Sequence, residues 1–104
     1  MKIGIVGLGI VGTACKIGFE HCGYIVIPHD IKLNTHITDL LEAEIVYLCV
    51  PTPTNNQGEC DTRIVESVIA ELRAAHYEGV IVIKSTVVPG TTERLIEQYD
   101  DRIV

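Results

Sequence analysis

The chain has 104 residues, enough for one domain with a modest hydrophobic core. Hydrophobic residues make up 47% of it and charged residues 21%, which is typical of a globular protein rather than a disordered one. A net charge of −6 argues against nucleic acid as a partner. No apolar run approaches the ~20 residues that span a bilayer, and residues 1–5 lack a signal-peptide layout. We therefore expect a cytoplasmic protein without membrane contact.

Strand-like and helix-like patterns alternate along the first half of the chain. An apolar run at residues 3–6 predicts the first strand, and the helical spacing of residues 10–22 predicts a helix that ends before a glycine. Residues 24–27 predict a second strand. Residues 31–44 predict a loop with a short helical turn capped by Thr38 or Asp39, from which Leu40 and Leu41 face inward. The first helix has one predicted inward face: Val11, Ala14, Cys15, Gly18 and Cys22.

The second half of the chain repeats this alternation. Residues 45–50 form a continuous apolar run, which is typical of a strand covered on both faces. A helix capped by Asp61, a strand at 80–83 and a helix at 91–99 follow, and residues 102–104 resemble the start of another strand. The inward stripe of the helix after Asp61 is Ile64, Val65, Val68, Ile69, Leu72 and Ala75. This order predicts a Rossmann-like three-layer α/β domain over residues 1–104, with a parallel sheet in the order 2-1-3-4 and room for a fifth strand.

The segment Gly7-Leu8-Gly9-Ile10-Val11-Gly12 lies between the first predicted strand and the first helix. In that position a GxGxxG pattern is the fingerprint of a dinucleotide-binding turn, and the helix N-terminus attracts the pyrophosphate. Asp30 stands 18 residues after Gly12, at the end of the second strand. An acid there accepts hydrogen bonds from the adenosine ribose and repels the 2′-phosphate of NADP. The pair of features predicts NAD as the cofactor.

Two further segments follow predicted strands, at the sheet edge where α/β proteins place their ligands. One is Val50-Pro51-Thr52-Pro53-Thr54, and the other is Ser85-Thr86-Val87-Val88-Pro89-Gly90-Thr91-Thr92. Both bring hydroxyl groups and rigid prolines to the mouth of the predicted crevice. From composition alone, cofactor contact and a turn with a helix cap are about equally supported.

Together these segments resemble the UDP-glucose/GDP-mannose dehydrogenase family. The similar stretches are Lys2 to Gly12, Val50 to Pro53, and Lys84-Ser85-Thr86-Val87 with Pro89-Gly90-Thr91-Thr92. The first is shared by many dehydrogenases, whereas the second and third, in this order and spacing, are far more specific to nucleotide-sugar dehydrogenases. The resemblance extends over nearly the whole chain, but only over the N-terminal NAD domain of the family.

The resemblance implies NAD-dependent, two-step oxidation of the C6 alcohol of a nucleotide sugar to a carboxylate, of the type UDP-glucose to UDP-glucuronate. It implies that residues 7–12 bind the pyrophosphate and that Asp30 binds the adenosine ribose. Residues 50–54 would line the cofactor cleft, and Ser85, Thr86 and Val87 would approach the nicotinamide. Thr86 is also the candidate for a catalytic contact.

Several features depart from the family pattern. The segment 31–43 is much shorter than usual, and Thr35 stands where a basic residue is often found. The catalytic cysteine of the family and its partner residues would lie beyond residue 104. We therefore expect this segment to be inactive alone and to meet a nucleotide sugar only together with a further domain.

The cysteines and histidines do not predict a metal site. Cys15, Cys22, Cys49 and Cys60 have neither CxxC nor zinc spacing. The two helix cysteines and the strand cysteine are predicted to be buried reduced thiols, and Cys60 is predicted to lie on a loop between two acids, which makes it a poor nucleophile. Among the histidines, His29 is nearest to the predicted cofactor edge, although a structural role is favoured for it.

Two other functions stay open at this point. One is a stand-alone or degenerate NAD-binding module without catalysis, which the short 31–43 segment favours slightly. The other is the cofactor domain of another NAD-dependent dehydrogenase of the hydroxyacid type, against which the two proline–threonine segments argue. Assembly into a homo-oligomer is also left open.

Overall fold

Among the described residues, four parallel strands form one sheet, with three α-helices and a 3₁₀ helix packed on it. The computed structural model describes residues 1–30, 33–54, 56–58, 60–85, 87, 89–100 and 102–104. The elements in chain order are β1 (Lys2–Val6), α1 (Ile10–His21), β2 (Ile25–His29), the 3₁₀ helix (Ile37–Glu42), β3 (Ile45–Leu48), α2 (Arg63–Ala74), β4 (Val80–Ile83) and α3 (Thr91–Gln98). The sheet order β2-β1-β3-β4 confirms the predicted Rossmann-like fold and topology.

The position of a fifth strand is occupied beside β4. Ile103 forms a parallel bridge with Ile81, and the Val104 N–H donates to the Ile81 carbonyl at 2.8 Å. The Ile83 N–H in turn donates to the Val104 carbonyl at 2.9 Å. Of the helices that the described residues form, none is long and apolar enough to cross a membrane.

The main hydrophobic core lies between the sheet and the layer formed by the 3₁₀ helix, α2 and α3. Gly4, Val46 and Ile81 are neighbours across the sheet and share this face. Gly4 leaves room for a helix side chain, because a Cβ there would stand 2.8 Å from a methyl carbon of Leu40. Leu40 is fully buried as predicted, whereas Leu41 is 42% exposed, so its predicted inward orientation is wrong. Among the described residues, the other fully buried aliphatic members are Val46, Leu48, Val65, Ile69, Leu72, Ile81, Leu95 and Ile103.

Helix α1 covers the other face of the sheet, and it is rotated from the predicted orientation. Gly12 is its buried residue, and Phe19 packs on Tyr47 of β3 with ring centroids 5.0 Å apart. Four of the five residues predicted to face inward are exposed: Val11, Ala14, Gly18 and Cys22. The prediction is wrong because tight packing of Gly12 against the preceding turn sets the rotation of the helix.

Strand β2 is the edge of the sheet and extends to His29, two residues beyond its predicted end. The Ile25 N–H donates to the Met1 carbonyl at 3.2 Å, and the His29 carbonyl accepts the Gly7 N–H at 2.8 Å. Because strand residues alternate in direction, the backbone groups of Pro28 point away from β1. A proline there has no N–H to offer to a further strand, which protects the edge from additional pairing.

Two smaller boundaries also differ from the predictions. β3 ends at Leu48 rather than residue 50, and Thr62 rather than Asp61 is the first flanking residue of α2. Asp61 still serves the helix end, because its carboxylate accepts the Arg63 backbone N–H at 3.0 Å. Ile64, predicted to face the core, is 41% exposed.

Candidate functional site

The turn between β1 and α1 needs its first and third glycines for steric reasons. Gly7 has φ +92°, and a Cβ there would lie 2.7 Å from the Cys49 carbonyl oxygen. A Cβ on Gly12 would lie 1.8 Å from the Gly7 carbonyl oxygen. Both contacts are with backbone atoms, which cannot rotate away. These two glycines therefore let the first turn of α1 pack against β1 and the end of β3.

No contact within the protein requires a glycine at Gly9, the second glycine of the turn. Its φ is −74° and its ψ is −153°, and a Cβ there would meet nothing within 4 Å. The position opens into the cavity beside the turn, whose wall Gly9 joins. A residue without a side chain at this point gives a ligand direct access to the backbone.

The start of α1 is suited to an anion. Gly9 precedes the helix and supplies no side-chain cap, and the first turn holds no acidic residue. The first N–H groups of a helix have no partner within the helix, and the helix dipole places partial positive charge there. A phosphate group satisfies both features.

Asp30 is linked directly to this turn. Its Oδ2 accepts the Leu8 backbone N–H at 2.6 Å, across 22 residues of sequence. The neighbouring backbone contact, from the Gly7 N–H to the His29 carbonyl, joins the same two chain segments. Asp30 also lines the cavity beside Gly9. The end of β2 and the glycine turn thus form one hydrogen-bonded unit.

A cavity of about 1080 Å³ opens at the carboxyl ends of the strands. Nine of the residues predicted to bind a cofactor line it: Gly7, Gly9, Ile10, Val11, Asp30, Val50, Pro51, Thr52 and Ser85. Five others do not, namely Leu8, Gly12, Pro53, Thr54 and Val87. Thr86, the candidate catalytic contact, lies outside the described residues.

The two proline–threonine segments hold their neighbourhoods together as well as approaching the cavity. The Ser85 hydroxyl donates to the Val50 carbonyl at 2.8 Å, which joins the ends of β4 and β3. Val87 packs against the core. Thr54 forms an antiparallel bridge with Cys60, closing a loop. For these residues the structure shows clear structural roles.

One wall of the cavity was missed by reasoning from sequence motifs. It is a stripe of α2 at helical spacing: Ile64, Ser67, Val68 and Glu71. The spacing i, i+3, i+4, i+7 identifies one face of a helix. It could have been found in the sequence, but its apolar part was assigned to the core. His29 and Lys84 line the cavity too.

Two ionisable groups of the cavity wall have shifted pKa values. Hydrogen bonds from Arg63 lower the pKa of Asp61 to about 2, so this cavity-lining acid is charged at neutral pH. Burial, reinforced by the adjacent thiol of Cys15, raises the pKa of Cys49 to about 11. A neutral thiol is a poor nucleophile. Within the described ranges, no three His, Cys, Asp or Glu side chains come together as a metal site.

Comparison with known proteins decides the family. The family model for the NAD binding domain of the UDP-glucose/GDP-mannose dehydrogenase family matches residues 31–102. The chain belongs to this family. UDP-N-acetyl-D-mannosamine dehydrogenase of Methanococcus aeolicus is 31% identical over an alignment 136 positions long, which takes in 96% of this chain and 30% of the relative. The chain therefore covers less than a third of that relative's length.

Solved structures agree with this assignment. This NAD-binding domain matches a GDP-mannose dehydrogenase from Pseudomonas aeruginosa, solved as a ternary complex, with a TM-score of 0.83. Sequence identity is 26%, over 92% of this chain and 31% of that one. A UDP-glucose dehydrogenase from Pyrobaculum islandicum shares the fold, with a TM-score of 0.81, 23% identity, and coverage of 93% and 31% of the two chains.

NAD is the cofactor of this domain, and the described residues fit it. The open Gly9 position gives access to the backbone, and the uncapped start of α1 provides N–H groups for a pyrophosphate. Asp30 lies at the carboxyl end of β2, where an acid binds ribose hydroxyls. The family match begins after the glycine turn and Asp30, so for residues 7–12 and for Asp30 this fit rests on their own geometry.

Proposed function

We propose that the chain is the NAD-binding domain of an enzyme that oxidises the C6 hydroxyl of a nucleotide sugar, of the UDP-glucose to UDP-glucuronate type. The observation that carries the cofactor site is the contact between the Leu8 N–H and Asp30 beside the open Gly9 position. In this proposal residues 7–12 hold the pyrophosphate and Asp30 the adenosine ribose. Family membership supports the choice of substrate class.

The rest of the cofactor is assigned to the ends of β3 and β4. Val50, Pro51 and Thr52 line the cavity and would contact it directly. Pro53 and Thr54 would support that loop from behind. Ser85 would position the neighbouring strand end, and Thr86 and Val87 are proposed on the nicotinamide side, with Thr86 near the reacting carbon. When bound, NAD supplies the hydride acceptor.

Residues 1–104 are proposed to form a single domain that binds cofactor but does not turn over substrate alone. The relatives that it matches are about three times longer, and they support a further domain as the source of sugar contacts. A cytoplasmic location is also proposed. It is supported by the four free cysteines, which are typical of a reducing compartment. Homo-oligomer formation stays a prediction that sedimentation of the purified chain would test.

Calorimetric titration with NAD and NADP tests the cofactor site. We expect saturable NAD binding, tighter than NADP binding. Asp30→Asn should weaken NAD about tenfold or more, since hydrogen bonds to a charged acceptor are among the stronger ones, and it should narrow the preference over NADP. Glu42→Gln, which changes an exposed carboxylate outside the cavity, is the matched control. Equal losses for both cofactors in Asp30→Asn would contradict the ribose role.

A second measurement tests the limit on activity. The purified chain, incubated with NAD and UDP-glucose, should give no steady rise in absorbance at the NADH wavelength. Continuous NADH formation dependent on UDP-glucose would show that these 104 residues carry the catalytic groups, and it would overturn the proposal of a cofactor domain that needs a partner domain.

A further inference from the structure

His29 stands at the last position of β2, immediately before Asp30. The sheet register places it beside Val6, which is itself beside Leu48. These residues share the sheet face that α2 covers, and His29 is half-buried there. It lines the same cavity as Asp30 and the glycine turn. An imidazole therefore borders the proposed cofactor site on the side of the adenosine ribose.

The hydrogen bonds around His29 are compatible with a neutral ring that carries its proton on Nε2. Its Nδ1 lies 2.9 Å from the hydroxyl oxygen of Thr35. That oxygen also accepts the Asp30 backbone N–H, at 3.4 Å. The threonine hydroxyl can donate its one proton to Nδ1 while its oxygen accepts the amide N–H. The neutral ring then carries its own proton on Nε2.

The Nε2 side of the ring is available to a ligand. No hydrogen bond joins His29 Nε2 to another of the described residues. Because this nitrogen is also not one of the fully buried polar atoms without a partner, it is accessible from outside the protein. The α2 residues Ile64 and Val68 form an apolar part of the cavity wall. Apolar walls with one or two directed polar groups are the usual setting for a flat heterocycle.

We propose that His29 Nε2–H donates a hydrogen bond to the adenosine half of bound NAD, with Thr35 as the residue that orients the imidazole. This deepens the proposed function and depends on the cofactor lying in this cavity. His29 supplies a donor next to the acceptor Asp30, so the two consecutive residues recognise adenosine with opposite hydrogen-bonding character. Thr35 occupies the position of the family's frequent basic residue, and its role here is indirect.

Binding of NAD, 5′-AMP and NMN to a set of variants tests the proposal. His29→Leu should raise the dissociation constants of NAD and 5′-AMP about fivefold to tenfold, the usual range for one hydrogen bond. That of NMN should not change. His29→Gln, whose amide N–H can reach the same point, should recover most of the loss. His21→Leu, on the exposed end of α1, is the control and should bind like the wild type.

Substitutions at Thr35 test the same proposal without altering the imidazole ring that would contact the ligand. Thr35→Val should weaken 5′-AMP severalfold at an unchanged melting temperature, and Thr35→Ser should restore binding. If Thr35→Val binds 5′-AMP like the wild type, Thr35 does not orient the ring. This pair keeps the test informative even if His29→Leu does not fold.

Nitrogen-15 NMR of the imidazole measures the protonation directly. We expect a protonated Nε2 and an unprotonated Nδ1 in the neutral ring, and a shift of the Nε2 resonance on addition of 5′-AMP. A proton on Nδ1, or no shift at saturation, would overturn the role of His29. If the wild type binds no NAD at all, the proposed function fails. If it binds NAD and His29→Leu binds it equally well, only the present inference fails.

Discussion

Two alanine substitutions in the glycine turn should have opposite consequences, although they lie three residues apart. Gly9→Ala places a methyl group in open space beside the cavity, whereas Gly12→Ala places it 1.8 Å from the Gly7 carbonyl oxygen. The first should spare folding and impair cofactor binding. The second should damage the fold itself. The pair separates a functional glycine from a packing glycine in a single motif.

The cost of Gly12→Ala follows from the required movement. A Cβ does not approach another heavy atom within 3.0 Å, so the helix and the turn must separate by more than 1 Å. Overpacking of this kind costs about 3 kcal/mol at its upper range, and the better helix propensity of alanine returns about 1 kcal/mol. The net loss of about 2 kcal/mol corresponds to a fall in melting temperature of about 8–16 °C for a domain of this size.

Gly9→Ala should change stability little. Alanine is a poorer helix-capping residue than glycine by about 0.5–1 kcal/mol, but it restricts the unfolded chain by a similar amount. The added methyl group would keep a pyrophosphate from the N–H groups of α1, and each hydrogen bond to a charged group is worth about 1.5–3 kcal/mol. The dissociation constant for NAD should therefore rise about tenfold to a hundredfold.

Thermal unfolding followed by circular dichroism, with and without saturating NAD, measures both effects. Gly9→Ala should melt within a few degrees of the wild type and lose most of the NAD-induced stabilisation. Gly12→Ala should melt much lower in the absence of NAD. The reasoning is refuted if Gly9→Ala keeps wild-type affinity for NAD, or if Gly12→Ala melts at the wild-type temperature.

Two predictions concern stability alone. Burial raises the pKa of Cys49 from 9.0 to about 11, so the unfolded chain loses this thiol proton first; the stabilisation is complete below pH 9 and is lost as pH rises towards 11. Urea unfolding across this pH range should show that the free energy of unfolding falls by about 1 kcal/mol, a value discounted for the partial exposure of Cys49. Cys49→Ala should reduce this fall, whereas the control Cys22→Ala, at an exposed site, should not. Identical slopes of the unfolding free energy against pH in the two variants would contradict the prediction. The largely buried Arg73 guanidinium lies 2.9 Å from Asp100. Arg73→Met should therefore lower the melting temperature by about 8 °C or more. Lys16→Met, which removes one partner of an exposed pair, should change the melting temperature by a few degrees at most. Similar shifts in both variants would show that burial does not strengthen the Arg73 pair.

Element order and type were predictable because they depend on short stretches of chain. Strand β4 matches its predicted range in full, since a run of β-branched residues between turn-forming residues has few alternatives. The glycine turn and Asp30 were recognisable for a similar reason, because a phosphate-binding turn needs particular residues at fixed spacing. Their hydrogen bond through Leu8 joins segments 22 residues apart, and no local pattern predicts it.

The buried face of α1 could not be predicted from the local sequence. Its apolar residues surround the helix, and Ile17 on the outer side is 59% exposed. Periodicity could not choose among several plausible inward faces. The choice follows from the contact of Gly12 with Gly7, since residues about one and two turns later, Cys15 and Phe19, must then also face the sheet.

The sequence by itself thus specifies a parallel α/β domain and predicts a dinucleotide turn and a ribose-binding acid, because periodicity and a spaced motif are properties of consecutive residues. Tertiary structure decides which face of α1 is buried, adds the α2 stripe to the cavity wall, and turns Thr35 towards His29. These features join residues that are distant in the chain or that had another plausible local role. Packing of the whole sheet selects among those roles, and the proposed adenosine end of the site depends on that selection.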